Sequence, residues 1–405
     1  MVFNASSKLP AWFAESSAMI KTFSFVSKFA IFNDFPCFNK DIIVKFSYKY
    51  DFYLIKMKYN SKMMRKIEKK IAQSFKAKEA LYAANGTSAL YLCFLHCKNL
   101  GKYKVALPSI ICPQVACAAL KAGLELVFSQ PNLKDYNIDF KALKKLYKKE
   151  KFDILCLAHL YGHLCDERLF DFAKKHKILL IEDSAQSYKI NPKSDFSVLS
   201  FGHTKFLSNA NAGGAILSSC HKLAPLKHLN SKLALKPKNL NELFEKYKKE
   251  FYSLNPLDKN YFQRLKNLFL KYCFIFKTQR KNKILEKKLL SFQKKCRLRK
   301  EKMKLYQRHL KHGLIKEARL NKDSISWRYT FRLIKDREKF LYKLREKNVD
   351  CSSWYMNNEK IFEAQISPKS AYLERQLVNL WCDESISKKQ ILKNIKMIKV
   401  IISSL

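Results

Sequence analysis

Short apolar runs alternate with amphipathic stretches between residues 105 and 201. The amphipathic stretches have helical periodicity and cover Cys112–Ala122, Phe140–Lys149 and Glu167–His176. Five apolar runs have the length of buried strands: Val105–Leu107, Leu126–Phe128, Ile154–Ala158, Ile178–Ile181 and Val198–Phe201. Strands that alternate with helices are typical of a mostly parallel sheet, so the pattern predicts an α/β fold with helices flanking the sheet.

The pattern changes on both sides of this segment. Residues 1–60 are rich in aromatic residues and lysine without a clear period, residues 61–78 have a helical pattern, and residues 220–312 are helical and free of glycine. After Gly313, predicted strands at Trp327–Ile334 and Val349–Trp354 surround a predicted helix at Arg337–Lys347, and a last helix covers Lys388–Ile402. These changes divide the chain into an N-terminal segment of unclear role (1–60), a large cofactor-binding domain (61–220), a basic helical connecting region (221–315) and a smaller C-terminal α+β domain (316–405).

Glycine is concentrated in one part of the chain. Seven of the eight glycines lie between Gly86 and Gly214. A chain with so little glycine uses it where the backbone needs freedom or where a ligand approaches closely. The same window contains polar residues directly after predicted strands, and ligands of parallel sheets bind beyond the carboxyl ends of the strands. We therefore expect the active site in this window.

The net charge is +45, and the excess is densest over residues 221–310, with 26 Lys and Arg against 6 Asp and Glu. Such a charge favours anionic partners such as nucleic acid, acidic lipid or phosphorylated metabolites, and it is also what a lysine-rich solvated surface without a partner shows. Because the charge follows helices and forms no recognisable nucleic-acid motif, we expect no nucleic-acid partner.

The twelve cysteines include no Cys-x-x-Cys pair, and no Cys/His group has the spacing of a structural zinc site. We therefore expect no metal site and reduced thiols in a cytoplasmic protein. The apolar stretch at residues 23–26 is flanked by Lys21 and Lys28, which makes it too short for a signal peptide or a membrane span.

The strongest chemical constellation is Asp183, Gln186, Ser200 and Lys205. A lysine after one strand, together with an acid that ends another, suits pyridoxal 5′-phosphate (PLP). The lysine forms a Schiff base with the cofactor aldehyde, and the carboxylate keeps the pyridine nitrogen protonated. A lone lysine in so lysine-rich a chain would be an ordinary exposed side chain, and a lone aspartate here a helix cap. Their common setting favours the cofactor interpretation.

A second element of the same site is the turn in NGTSAL (85–90). Gly86, Thr87 and Ser88 would place backbone N–H groups and hydroxyls at a helix N-terminus, where a phosphate dianion is favoured. By itself the motif would more often be an ordinary Asn-Gly turn with a Ser or Thr cap.

The sequence resembles the DegT/StrS family of PLP-dependent sugar aminotransferases, which have the aspartate-aminotransferase fold (type I). The resemblance is strongest over residues 61–220 and looser over 291–400. Its motifs occur in family order: NGTSAL, LPSIICPQVACAALKAG, YNID, HLYGH, IEDSAQS, SFGHTK and NAGGAIL, followed by WRYTFRL and YLERQLVNLWCDESIS.

The resemblance implies a role for each matching residue. Lys205 would be the Schiff-base lysine and Asp183 the partner of the pyridine nitrogen. Gln186 would lie near the hydroxyl of the ring, while Thr87, Ser88 and Ser200 hold the phosphate. His159 falls on the histidine of the family's HLYG motif, where a structural role is at least as plausible as a cofactor contact.

Three positions depart from the family pattern. Cys112 stands where the family commonly carries an aromatic residue over the cofactor ring. Tyr188-Lys189 replaces the usual His-Gly after the Gln motif. The Asn/Arg segment that reaches the phosphate of the neighbouring subunit has no counterpart within residues 220–290.

The resemblance implies amino transfer, with glutamate expected as donor, to a keto sugar on a nucleotide diphosphate, in the synthesis of surface-polysaccharide or glycan precursors by a homodimer. Two alternatives remain. In PLP-dependent sugar dehydratases of this fold a histidine replaces the lysine, which makes His203 of interest, although Lys205 argues against that reaction. A catalytically silent relative would instead use the basic 221–310 segment to bind a membrane surface or nucleic acid.

Overall fold

The computed structural model describes residues 65–405 apart from residues 188, 209–212 and 279–282. The N-terminal segment 1–60 and the start of the helix predicted over 61–78 lie outside the described residues. Residues 65–75 are helical (α1), and their inner face is buried at Ile67, Ile71 and Phe75.

Seven strands form the main sheet, in the order β1-β7-β6-β5-β4-β2-β3. Strands β2 to β6 are mutually parallel, whereas β7 pairs antiparallel with both β6 and β1. The predicted α/β fold is therefore confirmed. The strands are β1 (Glu79–Ala83), β2 (Lys104–Pro108), β3 (Glu125–Ser129), β4 (Ile154–Ala158), β5 (Leu179–Asp183), β6 (Phe196–Ser200) and β7 (Gly214–Ser218).

Helices cover both faces of this sheet. One face packs on a cluster that includes Leu92, Phe94 and Val115, and the opposite face packs on Leu143, Leu169 and Phe170. Aspartate caps start two of the helices, since the side chains of Asp139 and Asp166 accept hydrogen bonds from backbone N–H groups of the first turn. The helices are α2 (Gly86–Asn99), α3 (Pro113–Lys121), α4 (Phe140–Glu150) and α5 (Glu167–Lys175), and a 3₁₀ turn covers Leu160–Gly162.

Five helices follow the main sheet: α6 (Ala224–Lys232), α7 (Leu240–Tyr252), α8 (Tyr261–Lys271), α9 (Lys283–Leu290) and α10 (Phe292–His309). Helix α8 packs on the main-sheet helices through Leu265 and Phe269, which contact Cys117 in a small cluster. Helix α7 has no fully buried residue, so it lies at the surface of the described chain.

A second, antiparallel sheet has the order β10-β11-β9-β8 and packs against α11 and α14 through Phe331, Phe340 and Ile398. Its elements are β8 (Ile315–Glu317), β9 (Tyr329–Leu333), α11 (Arg337–Glu346), β10 (Cys351–Ser352), α12 (Asn358–Ile361), α13 (Pro368–Glu374), β11 (Leu377–Leu380) and α14 (Lys388–Ser403). The strand predicted at Val349–Trp354 is wrong in its length. Only Cys351 and Ser352 pair with β11, opposite Leu380 and Asn379.

None of the helices in the described ranges is both long and apolar enough to cross a membrane.

Candidate active site

The carboxyl ends of the parallel strands place several predicted site residues at one edge of the main sheet. β5 ends at Asp183, β6 ends at Ser200, and β4 ends directly before His159. Strand β5 lies between β4 and β6, with Asp183 in register with Ala158 on one side and Val198 on the other. The loop that carries Lys205 leaves the sheet at the same edge. The topology thus brings together side chains that are up to 46 positions apart in sequence.

Lys205 is half-buried, and its ammonium lies over the indole ring of Trp327, with Nζ 4.9 Å from the ring centroid. Nζ has no hydrogen bond or ion pair with a side chain or carbonyl of the described residues. Burial lowers the pKa of the Lys205 amine, with nearby Arg328 acting in the same direction, while Cys112 and Asp183 partly oppose the shift. An amine of lowered pKa with a free Nζ can act as a nucleophile or a base.

The loop before Lys205 is held in an uncommon conformation. Thr204 has a φ of +90°, which β-branched residues rarely adopt. The carbonyl of Thr204 accepts a 2.7 Å hydrogen bond from Nε1 of Trp327. Backbone strain of this kind persists where surrounding contacts enforce it, and it is enriched at functional sites. Trp327 therefore contacts both the side chain of Lys205 and the backbone that positions it.

Asp183 is 9% exposed, and its Oδ1 accepts a 3.0 Å hydrogen bond from the N–H of Ala185. Its other oxygen, Oδ2, has no hydrogen-bond partner among the described residues. Burial raises the pKa of the Asp183 carboxyl, and the positive charge of Lys205 counteracts this in part. A buried carboxylate with an open oxygen is suited to a cationic partner, such as a protonated pyridine nitrogen.

The turn at the start of α2 lies against Ser200. A Cβ added to Gly86 would come within 2.9 Å of the Cβ of Ser200, so only glycine allows this approach. Helix α2 begins at Gly86, so Thr87 and Ser88 lie in its first turn, as predicted. Asn85 is the cap, and its side chain accepts from the N–H of Ser88 at 2.6 Å. Thr87 is half-exposed. The helix N-terminus and the Ser200 hydroxyl therefore lie at one corner, an arrangement of N–H and hydroxyl donors that can receive an anion.

Residues of the connecting region reach this corner from the same chain. The carbonyl of Phe274 accepts from the amide of Asn85 at 3.1 Å, and the N–H of Phe276 donates to Oγ of Ser88 at 3.1 Å. Oγ of Ser88 keeps its own proton for a further hydrogen bond. The connecting region, in which the family's Asn/Arg segment was not found, thus contacts the predicted phosphate turn through backbone groups. Contacts made by the backbone cannot be recognised from a motif of side chains.

Gln186 is engaged at both ends of its amide. Oε1 accepts from the N–H of Tyr161 at 2.7 Å, and Nε2 donates to the hydroxyl of Tyr355 at 2.7 Å. The rings of Tyr161 and Tyr355 are stacked, with centroids 6.2 Å apart. Gln186 therefore fixes an aromatic pair beside the site and joins the large sheet to the loop after β10.

His159 is buried, and both of its ring nitrogens are bonded. Nε2 lies 2.7 Å from Oε1 of Glu182, and Nδ1 accepts from the N–H of Cys165 at 3.0 Å. Nδ1 accepts a bond, so the proton of the neutral ring is on Nε2 and donates to the carboxylate. Because both ring nitrogens of His159 form hydrogen bonds within the protein, the geometry supports a structural role for this residue.

Glu182 is a buried carboxylate that the sequence did not single out. Besides His159, it accepts hydrogen bonds from the hydroxyls of Ser194 and Ser197 and from the N–H of Asn191. The sequence did contain a signal for this role of Glu182. An ionisable residue at the end of an apolar run must have a hydrogen-bonding or charged partner if its side chain is buried. No comparable signal marked the aromatic residues that support the site, because aromatic residues are common in protein cores. These residues are Trp327, Tyr161 and Tyr355.

Cys112 occupies the N-cap position of α3 without a capping hydrogen bond from its side chain, and it packs against hydrophobic residues on both sides. Its thiol lies close enough to Lys205 and Asp183 for each to influence its pKa, which burial raises. Cys112 therefore lies near both residues, and its role toward the cofactor remains a prediction. His203 is exposed, in contrast to Lys205, and Tyr188 lies outside the described residues.

A family model describes residues 56–397 of this chain, and that family is the DegT/DnrJ/EryC1/StrS aminotransferase family. The match covers most of the sequence, including every site residue discussed above. The chain belongs to this family. The predicted recognition and the predicted enzyme class, a PLP-dependent aminotransferase, are therefore confirmed.

Individual relatives agree with this membership. A curated protein from Aneurinibacillus thermoaerophilus, dTDP-3-amino-3,6-dideoxy-alpha-D-galactopyranose transaminase, is 25% identical over 346 residues, which cover 80% of this chain and 86% of the relative. Among solved structures, PseC from Helicobacter pylori, an aminotransferase involved in the biosynthesis of pseudoaminic acid, gives a TM-score of 0.67 at 18% identity, covering 85% of this chain and 92% of PseC.

A second solved structure, DesV from S. venezuelae in complex with a ketimine intermediate, gives a TM-score of 0.65 at 18% identity, over 84% of this chain and 89% of DesV. At these identities the structural likeness establishes the fold alone. The fold of this DegT/DnrJ/EryC1/StrS member is thus that of its aminotransferase relatives.

Proposed function

We propose that this family member transfers an amino group from glutamate to a keto sugar carried on a nucleotide diphosphate, with PLP as its cofactor. The observation that carries the proposal is the convergence of Lys205 and Asp183, one with an unpaired amine and the other with an open carboxylate oxygen, at one edge of the sheet. The relative named as a dTDP-amino-sugar transaminase supports the substrate class.

The site residues fit the cofactor. The corner formed by Gly86, Thr87, Ser88 and Ser200 offers N–H and hydroxyl donors to its phosphate, and the absence of a side chain at Gly86 lets the turn approach Ser200 closely. Asp183 would hold the pyridine nitrogen in its protonated form. When bound, PLP supplies an electron-withdrawing ring that stabilises negative charge at the α-carbon of an amino donor.

Lys205 would move the proton. Its amine, whose pKa burial lowers, is more often neutral near pH 7 than an exposed lysine and can accept the proton from the donor's α-carbon at Nζ. Trp327 limits the motion of that side chain and excludes water from one side of it. The basic surface would add long-range attraction for the anionic nucleotide.

The test uses purified protein loaded with PLP. We expect a visible absorbance band that Lys205→Ala abolishes and that Lys222→Ala, which removes an exposed lysine between β7 and α6, leaves unchanged. Addition of glutamate should shift the wild-type band and release one equivalent of 2-oxoglutarate per site. An unchanged band in Lys205→Ala would refute the assignment of this lysine.

The choice of donor and acceptor needs separate measurements. Alanine and aspartate in place of glutamate test the donor, because a band shift of equal rate with all three would contradict a glutamate preference. Transfer to keto sugars bearing dTDP or UDP, followed by mass spectrometry of the product, tests the acceptor. The absence of a band shift with glutamate would thus contradict the proposed donor, whereas the absence of an aminated product would contradict the proposed acceptor.

We further propose that the enzyme works as a homodimer in the cytoplasm, in the synthesis of glycan or surface-polysaccharide precursors. All eleven cysteines in the described ranges are free, which agrees with a reducing compartment. Light scattering on the purified protein would give the mass of a dimer, and the mass of one 405-residue chain would contradict this part of the proposal.

A further inference from the structure

A second cluster of chemically active side chains lies at the opposite edge of the main sheet. Asp195 immediately precedes β6, and Cys220 and His221 follow β7. One ligand atom from each of these three residues lies within 4.8 Å of the other two. Since β6 rises about 3.3 Å per residue over its five positions, the cluster is on the order of 15 Å from the Ser200 end of that strand.

We propose that Asp195, Cys220 and His221 bind a divalent transition-metal ion of the zinc type, with water in the remaining position. Thiolate, imidazole and carboxylate are the three donor types that Zn²⁺ uses in proteins, and three protein ligands plus one open position is a common coordination. Because the three ligand atoms lie within 4.8 Å of one another, one ion can contact all three after rotation of the side chains.

The two segments that supply the ligands are already fixed to one another. The hydroxyl of Ser218, which is 2% exposed, donates to the carbonyl of Asp195 at 2.9 Å and accepts from the N–H of His221 at 2.9 Å. The thiol of Cys220 lies 3.8 Å from the carbonyl of Ser194. The backbone at the site is thus ordered by hydrogen bonds, so little conformational entropy is lost on binding.

The side chains of the ligands are oriented as well. Oδ2 of Asp195 accepts from the N–H of Leu180 at 2.7 Å, which directs Oδ1 toward Nε2 of His221 at 2.6 Å. The imidazole of His221 packs on the ring of Phe196, with centroids 5.6 Å apart. The backbone donor that holds the Asp195 carboxylate is the kind of outer contact found at metal-binding carboxylates, and the packed ring limits the rotation of His221.

Sequence spacing gave no hint of this site. Cys220 and His221 are adjacent, and Asp195 is 25 positions earlier, so no known zinc-ligand spacing is matched. The antiparallel pairing of β6 with β7 brings them together. A bound ion would tie the start of β6 to the end of β7, the strands from which Ser200 and the Lys205 loop extend.

Binding would replace the thiol proton of Cys220, because the thiolate is the ligand, and would therefore shield the sulfur from alkylation. The test measures alkylation of full-length, tag-free protein by iodoacetamide at pH 7.5, with and without Zn²⁺, by mass spectrometry of the peptide that contains Cys220. Cys220 is exposed, so its reaction without metal is measurable. We expect one Zn²⁺ per chain by elemental analysis and at least a tenfold slower alkylation.

His221→Ala and Asp195→Asn should each abolish the protection, whereas His228→Ala, which removes an exposed histidine of α6, should preserve it. Zn²⁺ should also raise the thermal midpoint of the wild type and of His228→Ala but not that of His221→Ala. Equal alkylation rates with and without Zn²⁺, or protection that persists in both His221→Ala and Asp195→Asn, would overturn the proposal. If Asp195→Asn fails to fold, His221→Gln replaces it, because this side chain is 47% exposed.

Discussion

The amine of Lys205 lies on the indole face of Trp327, while the indole N–H of the same residue bonds to the carbonyl of Thr204. One side chain therefore fixes both the position of the lysine Nζ and the strained backbone that precedes it. Trp327 lies 122 positions after Lys205 and directly before β9 of the second sheet. The second sheet thus contributes directly to the geometry of the candidate site.

Replacement of Trp327 separates these two contacts. Trp327→Phe keeps an aromatic face and removes the N–H, so we expect the free energy of unfolding to fall by about 1 kcal/mol, the usual value of one hydrogen bond. Trp327→Ala removes the ring as well, with an expected loss of roughly 3–5 kcal/mol and at least tenfold weaker PLP binding. Urea unfolding and fluorescence titration with PLP measure the two effects. Equal PLP affinity in both variants would contradict a role for the ring.

Substitution at Gly86 tests the close contact with Ser200. In Gly86→Ala the new methyl group would meet the Cβ of Ser200 at 2.9 Å, so we expect destabilisation of about 1–3 kcal/mol and weaker PLP binding. The double variant with Ser200→Gly should recover stability, because the obstructing atoms are removed. Gly313→Ala is the matched control, since a Cβ there meets nothing within 4 Å. Equal stability of Gly86→Ala and the wild type would show that the turn yields easily.

The buried carboxylate of Glu182 is expected to be important for stability. Glu182→Gln keeps the shape of the side chain but turns an amide N–H₂ toward donors that previously bonded to an oxygen. We expect the free energy of unfolding to decrease by roughly 2–4 kcal/mol, measured by urea titration. Glu245→Gln, which breaks an exposed ion pair with Lys248, should change it by less than about 0.5 kcal/mol. Similar values for both variants would contradict the importance of burial.

Asp135 gives stability a defined dependence on pH. Burial raises the pKa of its carboxyl to about 6, with the N–H of Asn137 partly opposing the shift. The folded state consequently binds this proton more tightly than the unfolded state does, so the contribution of Asp135 to stability falls as pH rises from about 4 to about 6.

Asp135→Asn removes that dependence and keeps an acceptor for the N–H of Asn137. We expect the variant to be more stable than the wild type at pH 8, by up to about 2 kcal/mol, and the difference to diminish below pH 6. Thermal unfolding between pH 4 and pH 8 measures this, with the exposed Asp350→Asn as control. A difference that stays constant over this range would contradict the assignment.

The five central strands and the three helices between them could be predicted from sequence because each is a run of buried apolar residues or an amphipathic stretch. Strands β1 and β7 could not be predicted from the sequence. β1 continues directly from a helical pattern, and β7 follows the glycines of the Lys205 loop, so neither stands out as an isolated apolar run. Their antiparallel pairing depends on contacts between residues more than 130 positions apart.

The candidate catalytic residues could also be predicted from local patterns in the sequence. Asp183 and Ser200 end apolar strands, and Lys205 follows five positions after the second of these strands, so their common setting could be recognised as a pattern. The residues that contact and position this site could not be predicted in the same way. Trp327, Tyr355 and the backbone of Phe274 and Phe276 come from distant segments, and their roles depend on directions and distances that linear spacing does not contain.

The sequence by itself determined where the strands of the parallel sheet lie and which polar residues end or follow them, because a buried strand is a local run of apolar residues. Only the tertiary structure decided that Trp327 supports Lys205, that both nitrogens of His159 are used within the protein, and that Asp195 meets Cys220 and His221. These relationships join segments that are distant in sequence, and they depend on how sheets and helices pack in three dimensions.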